Sequence, residues 1–352
     1  MLLHGIFPPI TTPFYPDGAV YYKKLEANVE RYSRVPMAGM VVLGSTGEAI
    51  LLSDEERREV LRVARQAASP EKVLVAGTGI ESAIETLRLT DYAAGLGYDV
   101  AMVRTPHYYK SQMKSANLLA FYRFVADRSP LPVIIYNFPQ ATGYDIPAEV
   151  VFELAEHPNL VGIKESSGSL DKVKTMVDAT RRIHRDVAVT EVFAAVTGRM
   201  LAAPSPASDA ALISAASLGG IAPKAAAVAA PPAIKTRTKD AGFQVLVGSA
   251  QTLLPSLERG AVGAILAFAC PAPTACFEIY TAWKDGDQKL AEEKQARIAE
   301  AAKRIVSELG IPGIKHALDY NGYYGGPPRL PLLPPTADVK AEVERLLANI
   351  RN

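Results

Sequence analysis

The chain has little cysteine, no long apolar run and no excess of charge of either sign. Its 352 residues hold two cysteines, Cys270 and Cys276, too few for a disulfide framework and without the Cys/His spacing of a metal site. The expectation is a pair of buried apolar thiols in a reducing, cytoplasmic setting. Lysine and arginine total 38 against 37 for aspartate and glutamate, a formal net charge of +1. That balance gives no electrostatic argument for a nucleic-acid partner. No apolar stretch reaches the roughly 18 residues of a membrane-spanning helix. The opening run "MLLHGIFPPITTPF" lacks a basic start and is cut by Pro8, Pro9 and Pro13, so it does not have the form of a signal peptide. A phosphate loop and a nucleotide-binding glycine fingerprint are also missing.

What is present is apolar material in short pieces. Hydrophobic residues make up 49% of the chain. Eight short runs read as strands covered on both faces: 5–10, 38–43, 72–76, 99–103, 132–136, 160–164, 243–247 and 262–267. Helical patterns separate them, at 53–68, 82–95, 114–127, 147–156, 169–184 and 251–259. The first of these opens with Ser53 and Glu56 at capping-box spacing. Eight strands alternating with helices predict an α/β fold, a (β/α)8 barrel. Residues 270–283, 287–308, 312–320 and 336–350 add a helical extension, interrupted by the glycine- and proline-rich loop 321–335. The expected organisation is a barrel over 1–270 and a closing helix with C-terminal helices over 271–352. One segment breaks the rhythm. Residues 187–241, between the sixth helix and the seventh strand, are far longer than an ordinary connection and rich in alanine and proline. They predict an appended helical hairpin or a partly mobile insert with a structural or interface role, a lid being the alternative. A connection in that position belongs to the N-terminal face of the barrel, away from the chemistry.

Function in a barrel gathers where the strands end. The second strand delivers Gly44, Ser45, Thr46, Gly47 and Glu48; the fourth, Thr105 to Tyr109; the fifth, Tyr136 and Asn137; the sixth, Lys164 to Ser167; the seventh, Gly248 and Ser249. The set holds one amine, several phenols and hydroxyls, and no carboxylate pair. Lys164 ends an apolar run. It is either an ordinary charge or a nucleophile. Burial among apolar neighbours disfavours the charged form of an amine, and a neutral amine adds to a carbonyl to give a Schiff base, an electron sink for making or breaking the adjacent carbon–carbon bond. Tyr136 offers a proton carrier. The "GSTGE" turn at 44–48 offers hydroxyls and backbone N–H groups for a carboxylate. Plainer roles compete for some of these residues: Glu48 as a pin for the turn, Tyr108 and Tyr109 as interface aromatics, His107 as a loop residue without a task.

The strings "GSTGE" (44–48), "TPHYY" (105–109), "YNFPQATG" (136–143), "GIKESSG" (162–168), "FQVLVGSA" (243–250) and "GYYGGPPRLPL" (322–332) together resemble the dihydrodipicolinate synthase / N-acetylneuraminate lyase family of class I aldolases. The resemblance covers nearly all of the chain except 187–241. It implies a barrel with C-terminal helices, a homodimer or homotetramer, a 2-oxo acid substrate and no metal or other cofactor. Lys164 matches the Schiff-base lysine and Tyr136 the proton-relaying tyrosine. Ser45 matches the hydroxyl that links Tyr136 to a second tyrosine. Tyr108 resembles that second tyrosine, which reaches into a neighbouring subunit's site. Thr46 matches the holder of the 2-oxo acid carboxylate, with Gly44, Gly47, Ser166, Gly248 and Ser249 around the substrate. The chain departs from the pattern at Ala141. Family members that use aspartate semialdehyde carry an arginine there, a bidentate grip on that substrate's carboxylate. Its loss, with "HPNLVGIKESSG" and "GIPGIKHALDYNGYYGGP", favours the 4-hydroxy-2-oxoglutarate aldolase branch, which yields pyruvate and glyoxylate. A related 2-oxo-acid dehydratase or hydratase-aldolase, and a non-catalytic 2-oxo-acid-binding protein, are the alternatives.

Overall fold

The computed structural model describes residues 1–202 and 234–350. Its strands are β1 (Gly5–Phe7), β2 (Gly39–Val42), β3 (Val73–Gly77), β4 (Val100–Arg104), β5 (Val133–Asn137), β6 (Leu160–Glu165), β7 (Asp186–Thr190), β8 (Thr236–Asp240), β9 (Gln244–Val247) and β10 (Gly263–Ile265). All but β7 and β8 form one parallel sheet in the order β1-β10-β9-β6-β5-β4-β3-β2. The sheet closes on itself. Ala38 N donates to Ile6 O at 3.1 Å, Val41 N to Pro8 O at 3.0 Å and Ile10 N to Val41 O at 3.0 Å, which joins β1 to β2. The eight barrel strands lie where the apolar runs predict them. β1 stops at Phe7 because Pro8 and Pro9 have no N–H to donate.

Side chains of alternate residues fill two compartments. Val41, Val75, Met102, Ile134 and Leu246 belong to the cluster inside the barrel. Val42, Leu74, Val103, Ile135 and Val245 face outward and are covered by helices. Those helices are α1 (Tyr22–Arg34), α2 (Asp54–Ala67), α3 (Ala83–Leu96), α4 (Ser115–Arg128), the single turn α5 (Pro139–Thr142), α6 (Ala148–Ala155), α7 (Leu170–Thr180), the short α8 (Gly198–Ala202), α9 (Leu253–Glu258) and α10 (Pro273–Lys284). The expected capping box is present: Glu56 N donates to Ser53 Oγ at 3.2 Å and Ser53 N to Glu56 Oε2 at 2.9 Å. The sequence reading left α1 unassigned, although Leu25, Val29 and Tyr32 form its buried stripe. α11 (Gln288–Ala302), α12 (Gly310–Tyr320) and α13 (Ala337–Leu347) make the C-terminal extension. No described helix is long and apolar enough to cross a membrane.

The segment 187–241 differs from expectation. Its described parts form a β-hairpin, not a helical one: β7 and β8 pair antiparallel from Asp186↔Asp240 to Thr190↔Thr236. The alternation in "DVAVT" and "TRTKD" is a strand signal that the alanine and proline of the intervening stretch concealed. Residues 203–233, on which the helical expectation chiefly rested, lie outside the described residues. After β7 the chain crosses beneath the barrel. Ala195 packs against the inner cluster. Thr197 Oγ1 donates to Pro70 O at 2.5 Å, and Arg199 donates to Ser69 O at 3.1 Å and to Asp99 Oδ2 at 3.1 Å. Ser69, Pro70 and Asp99 all precede strands, so this segment covers the N-terminal face.

Candidate active site

β6 carries Lys164 to the C-terminal end of the barrel, where it is 5% exposed. Parallel register sets Arg104, Tyr136, Lys164 and Leu246 side by side on β4, β5, β6 and β9. Neighbours in register point to the same face of a sheet, and here that face is the interior. Lys164 Nζ lies 4.1 Å from the centroid of the Tyr136 ring. It has no hydrogen-bond or ion-pair partner among the described residues. The next residue, Glu165, faces away and is saturated. Its carboxylate accepts from Asn137 Nδ2 at 2.9 and 3.1 Å and from Ser167 N at 2.6 Å, with Lys172 Nζ at 3.3 Å. That network ties the ends of β5 and β6 together and fixes the level at which Tyr136 and Lys164 meet.

The turn after β2 supplies the opposite wall. Leu43 (φ 62°) and Glu48 (φ 54°) bracket it in left-handed conformations that are costly for residues with a Cβ and persist only when the surroundings impose them. Between them Ser45–Gly47 forms a single 3-10 turn. Ser45 Oγ lies 3.3 Å from Tyr136 Oη. Thr46 is buried beside it. Glu48 proves to be a pin. Arg329 N donates to Glu48 Oε2 at 2.8 Å, and Lys315 Nζ sits 2.6 Å from Glu48 Oε1. The second contact is an ion pair without hydrogen-bond geometry; the Lys315 protons go instead to Thr12 O and Pro327 O, both at 2.9 Å. The C-terminal extension therefore holds the turn in place.

The remaining expected residues divide. Ser166 and Gly248 meet at the ends of β6 and β9. A Cβ on Gly248 would stand 2.0 Å from Ser166 Oγ, so only glycine fits there. Ser166 Oγ is buried without a hydrogen-bond partner. Ser249 follows Gly248, half-buried. Tyr108 is not brought to Ser45 and Tyr136 within this chain. It is 76% exposed and packs edge-on against Tyr109.

A cavity of about 410 Å³ opens beside Tyr136, walled by Gly44, Ser45, Ala141, Arg57, Arg104 and His107 and roofed by Ile311, Pro331 and Leu332 of the extension. Lys164 is not among the lining residues; it lies against the Tyr136 ring. The two arginines were not foreseen from the sequence. The signal for Arg104 was available: it continues the inward alternation of Val100 and Met102, and a charge on the inner face of a barrel strand is uncommon. Burial lowers the pKa of Arg104 from its ordinary value, while Glu81 opposes that shift. No cluster of metal-ligating side chains occurs among the described residues.

The sequence pattern of the dihydrodipicolinate synthetase family matches residues 2–190 and 195–350. A 4-hydroxy-tetrahydrodipicolinate synthase of Methanothrix thermoacetophila is 30% identical over 99% of this chain and 97% of its own length. A prophage protein of E. coli K12 from the dihydrodipicolinic acid synthase family, solved in complex with pyruvate, superposes with a TM-score of 0.77 at 26% identity, covering 99% of each chain. A dihydrodipicolinate synthase of Bacillus anthracis gives 0.79 at 21% identity over the whole of both chains. These comparisons overturn the expected 4-hydroxy-2-oxoglutarate aldolase. Five relatives matched over 94% or more of this chain are 4-hydroxy-tetrahydrodipicolinate synthases, against a probable 4-hydroxy-2-oxoglutarate aldolase of Emericella nidulans at 29% identity over 97% of this chain and 93% of its own. The weight placed on Ala141 was misplaced for a physical reason. Ala141 lines a cavity that already has Arg57 and Arg104 in its wall, so an alanine there does not leave the cavity without positive charge. By its sequence over nearly its full length and by its fold, the chain belongs to the dihydrodipicolinate synthetase family and is an enzyme of the carbon–carbon lyase class.

Proposed function

We propose that this enzyme is a 4-hydroxy-tetrahydrodipicolinate synthase, joining pyruvate to aspartate semialdehyde through a Schiff base on Lys164. The observation that carries this reading is the buried, unpaired Lys164 amine 4.1 Å from the Tyr136 ring, with the Tyr136 hydroxyl 3.3 Å from Ser45. An amine without a competing partner is free to add to the C2 carbonyl of pyruvate, and water leaves to give the iminium. The hydroxyls of Ser45 and Thr46 hold the pyruvate carboxylate, with Gly44 and Gly47 allowing its close approach. Ser166, Gly248 and Ser249 line the far side. Loss of a C3 proton gives the enamine, whose C3 attacks the aldehyde carbon. Tyr136 protonates the resulting alkoxide. The amine of the joined product then displaces Lys164 at C2, closing the ring and freeing the enzyme. Tyr108 of a neighbouring copy completes the relay through Ser45 to Tyr136, so the reading includes a homodimer or homotetramer in the cytoplasm. The exposed Tyr108–Tyr109 pair supports that part of it.

Borohydride reduction in the presence of pyruvate, followed by peptide mass analysis, tests the chemistry. A reduced pyruvate adduct on Lys164 is the expected result, together with consumption of pyruvate when aspartate semialdehyde is added. A folded sample that gives no adduct would reject the mechanism. An adduct without consumption of the semialdehyde would reject the substrate.

A further inference from the structure

We propose that Arg104 binds the carboxylate of the aldehyde co-substrate and so selects aldehydes that carry an anion. This rests on the synthase reading and deepens it. The first support is placement. Arg104 is level with Tyr136 and Lys164 on successive parallel strands. At about 4.8 Å per strand, its Cα stands roughly 10 Å from that of Lys164. A short aldehyde reacting at the pyruvate enamine spans that gap with its far end toward β4.

The second support is the state of the guanidinium. Among largely apolar walls, a partly buried cation is stable only with acceptors around it. Arg104 has some. Nε donates to Gly79 O at 3.1 Å, and Nη1 lies 2.7 Å from His107 Nδ1. Burial first, then the adjacent guanidinium, lowers the pKa of His107, while Glu81 opposes the shift. Glu81 Oε2 takes the backbone N–H groups of His107 and Tyr108, at 2.9 and 3.0 Å. Glu81 Oε1 is 3.6 Å from Arg104 Nη1 and 2.5 Å from His107 Nδ1. Glu81 thus offsets the charge without saturating the donors. Nη2 of Arg104 has no partner among the described residues. Arg57, the other guanidinium in the cavity wall, is engaged by Ala49 O at 3.1 Å and Asp54 at 2.7 Å. Both guanidiniums keep Nη2 without a partner among the described residues; Arg104 is set apart by its place on a barrel strand in register with Tyr136 and Lys164, whereas Arg57 stands on α2.

The third support is the space around it. A Cβ on Gly79 would lie 2.4 Å from the backbone N of Arg104, so the chain after β3 passes close to β4, and the Arg104 stem lies over that glycine. Ala141 stands in the same cavity wall and leaves the volume between itself and Arg104 open to the ligand.

The test compares wild type with Arg104→Gln and Arg104→Lys on three aldehydes: aspartate semialdehyde, succinic semialdehyde, which keeps the carboxylate, and butanal, which has none. Pyruvate trapping on Lys164 is followed in parallel. For Arg104→Gln, KM for both anionic aldehydes is expected to rise about 10- to 100-fold, from loss of a charge-assisted hydrogen bond. The kcat/KM ratio of anionic to neutral aldehyde falls with it. Arg104→Lys retains the charge and falls less. Adding Ala141→Arg to Arg104→Gln recovers part of the loss, because position 141 faces the same cavity. A ratio unchanged by Arg104→Gln, or an equal loss on all three aldehydes with weakened trapping, overturns the proposal and leaves Arg104 a structural residue. Absence of the pyruvate adduct in wild type overturns the synthase reading, and the proposal with it.

Discussion

Two regions of this molecule are each built around a buried lysine, and they treat it in opposite ways. At the end of β6, Lys164 is 5% exposed; in α12, Lys315 is 1% exposed. Lys315 has an ion pair with Glu48 and two carbonyl acceptors. Burial lowers its pKa from the ordinary lysine value, and Glu48 counteracts the shift. Lys164 has the face of the Tyr136 ring and no hydrogen-bond or ion-pair partner among the described residues. An ammonium held by three oxygens is a strut. An amine left without acceptors has no polar contact among the described residues to compete with a substrate. The comparison teaches that burial alone does not identify a reactive lysine. The partner set does.

Replacing each lysine by methionine, of similar length and apolar, breaks the comparison most sharply. Lys164→Met is expected to abolish the borohydride-trapped adduct to the limit of detection while leaving thermal stability unchanged or raised, since no pairing is lost. Lys315→Met is expected to cost about 3–5 kcal/mol in chemical denaturation, because the buried Glu48 carboxylate loses its ion-pair partner and keeps only the Arg329 N–H. The Lys315 variant still forms the adduct on Lys164, at higher pyruvate concentration, as the 44–48 turn loosens. A cost below about 1 kcal/mol for Lys315→Met would mean that water replaces the lysine and the strut is not needed.

Tyr136→Phe sharpens the picture at the reactive end. The ring that packs on Lys164 is kept and the hydroxyl 3.3 Å from Ser45 is lost. Turnover is expected to fall about 10²- to 10⁴-fold, the usual worth of a positioned proton carrier, with the pyruvate adduct still trapped. Equal loss of trapping and turnover would show that the hydroxyl acts in imine formation itself.

The smallest expected effect lies at the other end of the barrel. Burial first, then Lys239 and Lys284, lowers the pKa of His4 to about 4. In the unfolded chain it returns to about 6.5. The unfolded state therefore binds more protons between those values, and stability is lost as pH falls from about 6.5 toward 4. His4→Gln is expected to flatten that acid limb by at most about 3 kcal/mol, measured by denaturant titration at pH 7 and pH 4. An unchanged slope would assign the acid sensitivity to the carboxylates.

Much of this molecule was legible in its residues. The eight apolar runs marked the barrel strands, because strands buried on both faces cannot alternate with polar residues. Ser53 and Glu56 marked the start of α2. Lys164, Tyr136 and Ser45 stood at strand ends, and the fold brings Lys164 and Ser45 each against Tyr136. α1 went unassigned because charged residues crowd its buried stripe and Tyr21 provides no side-chain cap. The β7–β8 hairpin was hidden by the composition of what lies between its strands. Arg104, Lys315 and Arg329 went unrecognised as parts of the site, and the branch of the family was misjudged from Ala141 and the stretches "HPNLVGIKESSG" and "GIPGIKHALDYNGYYGGP".

The sequence by itself determined the class of fold and singled out Lys164 as the amine proposed to react, because both follow from local pattern: apolar runs of strand length, and a lysine where such a run ends. Tertiary structure alone decided what surrounds that amine. Arg329 binds Glu48 and Glu56 across more than 270 positions, and Arg104 reaches the cavity through strand register. Contacts of that kind depend on the closure of the barrel and the return of the C-terminal helices, which no local pattern encodes.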